Sequence, residues 1–381
     1  MKTRAAFRVP RSRAYETHRA LREPILQALD RVLFGSTHDA YEVREEFERA
    51  FAREVGQSHA VAVHSGTIGL FLALRACQVG RGDEVITVGN SDISTTAAIR
   101  HCGATPVLCD VLETDYTINP LLVERLITGR TRALLPVDLY GHPANVRALR
   151  PLADHYGLRI VEDAALATGA YDHGRPVGAY ADATVFSFAP FKPLGSVGNG
   201  AMVVTNDAEL AGRLRLLSHY GHAPDTGGVP PGHQHYIAEG YNVPLDGLQA
   251  ALLAVKLPHL AEWTARRQAI ARAYAAGLAD TTARLPTFRP ESAPTFRAYT
   301  IRVPHQQDIY QQLRDAGVEA VLHYTPAVHR HAVYGGALPG AEALQVTERL
   351  SEELVCLPVT PELTEEDVAF VLNVLHDLLA K

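Results

Sequence analysis

Hydrophobic positions along this chain change their period repeatedly, and the changes divide it into elements. Residues 23–55 read as helices; within 40–52 the apolar residues recur at roughly helical spacing. From residue 60 onward short apolar runs alternate with helical stretches. The pattern predicts strands over 60–63, 84–88, 105–109, 133–137, 159–161, 184–188 and 200–205. It predicts helices over 68–77, 94–101, 119–127 and 146–156. Such alternation specifies an α/β fold: a mostly parallel sheet, of the seven-stranded type, with helices on both faces.

After Gly221 the pattern changes. Residues 223–240 are rich in Gly, Pro and His and read as a long loop, the kind that often covers an active site. A long helical region follows over 248–278, then a strand over 298–303, a helix over 306–316, a strand over 319–323, and helices over 342–353 and 364–379. The chain is thus expected to form an N-terminal arm (1–20), a large α/β domain (21–245) and a smaller C-terminal α+β domain (246–381). Residues 1–13 are basic without the apolar core of a signal peptide, and read as a mobile arm or part of a subunit contact.

At 381 residues the chain is too long for one simple core, which agrees with two domains. A net charge of -6 without a basic block argues against nucleic acid as partner. No apolar stretch is long enough to span a membrane. Cys77, Cys102, Cys109 and Cys356 lack CxxC spacing, so neither a disulfide framework nor a zinc site is expected, and a cytoplasmic location is. The 18 histidines include the pairs His233/His235 and His329/His331, but no acidic or cysteine ligands accompany them at metal spacing, so no metal is expected. His219, His222, His233 and His235 flank the expected cover loop, and His323 and His329 could lie near a site mouth; exposed loop histidines are the plainer reading. Tyr299 and Arg302 are expected on a C-terminal strand, Tyr299 as packing.

The chemistry-bearing residues fall where a doubly wound sheet binds ligands, beyond the carboxyl ends of its strands. Ser65-Gly66-Thr67 follows one strand and opens a helix, a place for phosphate or simply a capped turn. Asp163 ends another strand; it reads as a buried carboxylate needing a partner or as a helix cap, with Glu162 facing away or bracing a neighbour. Ser187 ends a third, and Lys192 follows in apolar surroundings that would lower its pKa. A lone Lys is usually solvated, but the ordered set fits pyridoxal 5′-phosphate (PLP): Lys192 for the Schiff base, Ser187 for the phosphate, Asp163 for the pyridinium nitrogen.

With these residues stand His64-Ser65-Gly66-Thr67, residues 82–87, Glu162-Asp163-Ala164-Ala165 with Gly169-Ala170, Phe186 through Lys192, Gly240-Tyr241-Asn242, residues 248–251, His323-Tyr324 and Cys356-Leu357-Pro358. In this order, from about Glu46 to the C-terminus, the chain resembles the DegT/StrS family of PLP-dependent sugar aminotransferases, of fold-type I. The resemblance implies roles. Lys192 would be the Schiff-base lysine and proton shuttle, Asp163 the pyridine partner, and Gly66, Thr67 and Ser187 the phosphate site. Asn242 would reach the phosphate from a second subunit of a homodimer with shared sites. A glutamate-like donor and a keto-sugar acceptor, on a nucleotide carrier, would react in ping-pong order.

Three positions depart from that pattern. Asp92 stands where an aromatic would stack on the cofactor ring, so Asn90 or a loop residue would cover it instead; Asp92 reads equally as a carboxylate facing substrate or cofactor and as a capping residue. Leu166 stands where Gln or His would reach the phenolic oxygen, and Asn199 where an acid is common between glycines. These departures keep two alternatives open: a PLP-dependent lyase or other non-transaminating enzyme, and a non-catalytic relative that binds PLP or a sugar nucleotide. Sugar dehydratases of the family carry histidine in place of the lysine, and Lys192 argues against that chemistry.

Overall fold

A computed structural model describes residues 7–36, 38–222, 235–335 and 337–380. A central seven-stranded sheet is built from β1 (His59–Val63), β2 (Glu84–Val88), β3 (Thr105–Cys109), β4 (Thr131–Leu134), β5 (Arg159–Asp163), β6 (Ala183–Ser187) and β7 (Ala201–Thr205). Their spatial order is β1-β7-β6-β5-β4-β2-β3. The pairs from β6 through β5, β4 and β2 to β3 are parallel, whereas β7 runs antiparallel to both β6 and β1.

The strands are apolar almost throughout because both faces are covered. Successive side chains point to opposite faces, and β7 shows it: Ala201 and Val203 join one core, Met202 and Val204 the other. The first core is covered by α4 (Gly66–Ala76), α5 (Ile93–His101), α6 (Val146–Tyr156) and α7 (Ala208–Ser218). The second is closed by Phe47 and Phe51 of α3 (Asp39–Glu54), edge-on to Phe186 and Phe188, and by α8 (Gly247–Lys256). Upstream lie α1 (Ala14–Ala20) and α2 (Arg22–Phe34). The remaining elements are α9 (Leu260–Leu278), β8 (Tyr299–Arg302), α10 (Gln306–Asp315), α11 (Gln345–Glu353), β9 (Leu354–Leu357) and α12 (Glu365–Leu379). β8 and β9 pair antiparallel, and α9, α10 and α12 pack a third core with them.

Several expectations are corrected. The strand expected over 319–323 is irregular and meets β9 only at a single Val321–Cys356 bridge. The helix expected over 119–127 is one short α-turn, Pro120–Val123, followed by a 3-10 turn. Helix α7 and strand β9 were not expected. The N-terminal segment, from Phe7 on, is anchored rather than mobile: Val9 is fully buried and bridges Val318, and Arg13 holds Asp367 at 2.7 Å. Of the expected cover loop, residues 223–234 lie outside the described residues; Ile237 N–H donates to Gly221 at 2.9 Å.

Candidate active site

The site forms where β1, β5 and β6 end on the same edge of the sheet. After β1 the chain turns through Ser65, whose hydroxyl caps α4 by accepting the Ile68 N–H at 3.4 Å. The amides of Gly66 and Thr67, in the helix's first turn, have no partner within it, and such amides favour an anion. A Cβ on Gly66 would sit 3.2 Å from Cβ and 3.3 Å from Oγ of Ser187. Glycine therefore keeps open the space between the helix N-terminus and the Ser187 hydroxyl at the end of β6, an arrangement suited to a phosphate.

Asp163, at the end of β5, is buried. Its carboxylate accepts from the Thr95 hydroxyl at 2.9 Å and the Ala165 N–H at 3.2 Å. Thr95 is itself steadied by Ser91 Oγ at 2.9 Å. Among the described residues Asp163 has no ion-pair partner, and burial raises its pKa. A protonated ring nitrogen would supply the missing cation.

Lys192 sits in a tightly tied loop. Its N–H donates to Ala189 at 2.9 Å, Phe188 N–H to Gly200 at 2.7 Å, and the Ser196 hydroxyl to the Phe188 carbonyl at 2.8 Å. A Cβ on Gly195 would come 2.6 Å from the Pro190 carbonyl, so the loop closes only with glycine there. Desolvation, and then the charge of Arg297, lower the lysine pKa to about 8; Asp163 and Asp92 oppose the shift. At pH 7 that leaves roughly a tenth of the amine neutral, about 300-fold more than an ordinary lysine.

These groups line one cavity of about 230 Å³. Gly66, Thr67, Asp92, Asp163, Leu166, Ser187 and Lys192 all border it, as does Asn199. Asn242 does not: it is exposed, bridged to His219. Asp92 is the N-cap of α5 and accepts the Ser94 N–H at 2.9 Å, so the capping role is present while the residue also edges the cavity. Asn90 is buried and not part of the lining. Leu166 contributes an apolar wall. Glu162 points into the opposite layer, accepting from Thr184 at 3.1 Å, with its pKa raised to about 7 chiefly by burial.

Sequence reasoning gave Thr95 and Tyr324 no role. Tyr324 closes the cavity and its ring lies parallel to that of His323, centroids 4.8 Å apart. Burial lowers His323 to about 4, so it is a neutral packing partner near neutral pH. His329 is buried against Glu348, while His222 and His235 are exposed; His233 lies outside the described residues. Among the described residues no group of three His, Cys, Asp or Glu side chains is placed to hold a metal.

A helix N-terminus facing a serine, a buried aspartate without a cation and a low-pKa lysine define a PLP-dependent enzyme of fold-type I. The chain belongs to the DegT/DnrJ/EryC1/StrS aminotransferase family, whose sequence profile matches residues 19–376. It is 41% identical over 367 residues to the dTDP-3-amino-3,4,6-trideoxy-alpha-D-glucose transaminase of Streptomyces venezuelae, covering 96% of this chain and 93% of that protein. It is 41% identical over 360 residues to the erythromycin biosynthesis sensory transduction protein EryC1 of Saccharopolyspora erythraea, covering 93% and 95%. In three dimensions it superimposes on DesV of S. venezuelae, solved in complex with a ketimine intermediate. The TM-score is 0.92 at 38% identity, over 99% of this chain and 100% of that one.

Proposed function

We propose that the protein moves an amino group from a glutamate-like donor to a keto-sugar carried on a nucleotide. The observation that carries this reading is the juxtaposition, around one cavity, of Lys192, Asp163 and the Gly66–Ser187 cradle. PLP, when bound, supplies an electron sink for the donor's Cα. In the proposed arrangement the Gly66 and Thr67 amides and the Ser187 hydroxyl bind its phosphate. Asp163 stays ionised against the ring nitrogen, held in place by Thr95 and the Ala165 amide. Lys192 would hold the cofactor through its amine and, once free, would be the group that moves a proton at the donor's Cα. Its lowered pKa suits both tasks. Tyr324 and Leu166 wall the cavity and exclude water, and Asn199 faces it near the lysine.

Asn242 would act from the second subunit of a homodimer; its exposure, away from its own chain's cavity, favours that reading. A cytoplasmic location accords with four unpaired cysteines. The large domain in this reading extends through Leu260 rather than ending at 245, because Ala250, Leu253, Leu257 and Leu260 pack into the core under the sheet. Replacing Lys192 with Ala tests the reading: amino transfer to a dTDP-linked keto-sugar should vanish, and wild-type turnover in that variant would refute it.

A further inference from the structure

A second, smaller cavity adjoins the first at Lys192, which lines both. It measures about 30 Å³, the share of one water in the liquid. Besides Lys192, four cationic side chains border it: Arg11 from the N-terminal segment, Lys256 at the end of α8, Arg267 of α9 and Arg297 just before β8. Lys256, Arg267 and Arg297 are only 4%, 7% and 7% exposed. Among the described residues Glu362 is the one carboxylate in the wall, and it is engaged by the hydroxyls of Thr17 and Thr360.

The three buried cations find few partners. Lys256 donates to the Gly195 carbonyl, lies 3.4 Å from His18 Nε2 and stands 5.8 Å from the centre of the Trp263 ring, and Arg267 donates to the Val359 carbonyl at 2.7 Å. The Nε atoms of Arg267 and Arg297 are buried with nothing to bond, and among the described residues the Arg297 side chain makes no ion pair. Among the described residues Arg11 alone of the four forms an ion pair, with Glu319 at 3.6 Å. Buried charges are costly unless paired. Desolvation accordingly lowers Lys256 to about 8 and Arg267 and Arg297 to about 10. Glu362 favours the charged forms of Lys256 and Arg267, but one carboxylate leaves the cluster net positive; an anion from solution would offset the remainder, and the volume limits it to a water-sized one.

We propose that this chamber binds one small monovalent anion of the halide class, held by the guanidinium groups of Arg267 and Arg297 and the ammonium of Lys256. Bound there, the anion offsets the repulsion of Arg297 on the Lys192 ammonium; that consequence, unlike the site, rests on the role given to Lys192 above. The test uses crystals of the purified protein soaked in sodium bromide. Anomalous density in the chamber is the expected result, and density confined to surface arginines, or none, overturns the site. Thermal unfolding gives a second readout. Chloride should raise Tm by about 1–3 °C over gluconate at equal ionic strength. Arg297→Gln should raise the half-maximal chloride concentration by at least tenfold. Equal Tm in the two salts for the wild type would also overturn it, whether or not the variant folds, and neither readout depends on transaminase activity.

Discussion

The lowered pKa of Lys192 has a consequence for stability that can be measured without turnover. Each tenfold change in proton affinity corresponds to about 1.4 kcal/mol. A fall from 10.5 to about 8 therefore means that the protonated lysine destabilises the cofactor-free fold by at most about 3 kcal/mol. The residue keeps partial exposure, which brings the realised figure to about 1–3 kcal/mol. The sign follows from which state binds the proton more tightly. Lys192 is the weaker base when folded, so the penalty is complete below pH 8 and fades as the pH rises toward 10.5, where the unfolded chain also loses the proton. Lys192→Met keeps an unbranched side chain one atom shorter and removes the charge. Stripped of cofactor, that variant should be more stable than wild type at pH 7 by this amount, and the gain should be gone by pH 10.5. Urea unfolding at both values measures it. A variant less stable than wild type at pH 7, or a gain that does not change with pH, would refute the desolvation argument and with it the reason for the lysine's nucleophilicity.

Other perturbations separate the roles of the remaining groups. Ser187→Ala removes a hydrogen bond to a charged group and should weaken PLP retention by about 10–100-fold in equilibrium dialysis. Gly66→Ala should weaken it as well, since the added methyl would stand 3.2 Å from Ser187 Cβ. Asp163→Asn keeps the shape and removes the charge; turnover should fall by at least about 100-fold with little change in Tm, in steady-state assays beside thermal melts. Asp92→Ala should cost about 1 kcal/mol of stability through loss of the α5 cap. It should leave turnover within about tenfold of wild type; a larger loss would assign Asp92 to the substrate side.

Much of this is legible in the amino-acid sequence itself. The β/α alternation fixed the sheet because seven buried runs of similar length leave few other packings. The aspartate, serine and lysine could be located because in such a sheet strand ends converge, so position in the chain translates into position at the site. Elements of the C-terminal half were harder. The 319–323 run has strand-like residues but only a single bridge to β9. Helix α7 carried a usable signal, Asp207 capping Glu209 and Leu210 with Leu210, Ala211 and Leu214 on the buried side, yet Gly212 interrupts it. Thr95 reaches Asp163 across 68 positions, and Arg297 and Lys192, from two separate segments, line the same small cavity. Such pairings depend on tertiary packing, and no local period encodes them. Asp92 shows a different limit: its type allows a cap or a carboxylate at the site, and the backbone at α5 shows the cap while the residue also edges the cavity.

The account turns most directly on one absorbance spectrum. Purified protein is reconstituted with PLP and recorded before and after excess L-glutamate. The visible band of lysine-bound cofactor should appear, and should convert to the near-ultraviolet band of the aminated cofactor as a keto acid is released in equal amount. A visible band that neither glutamate nor any other amino donor shifts, or no such band in a folded protein, would contradict amino transfer through Lys192.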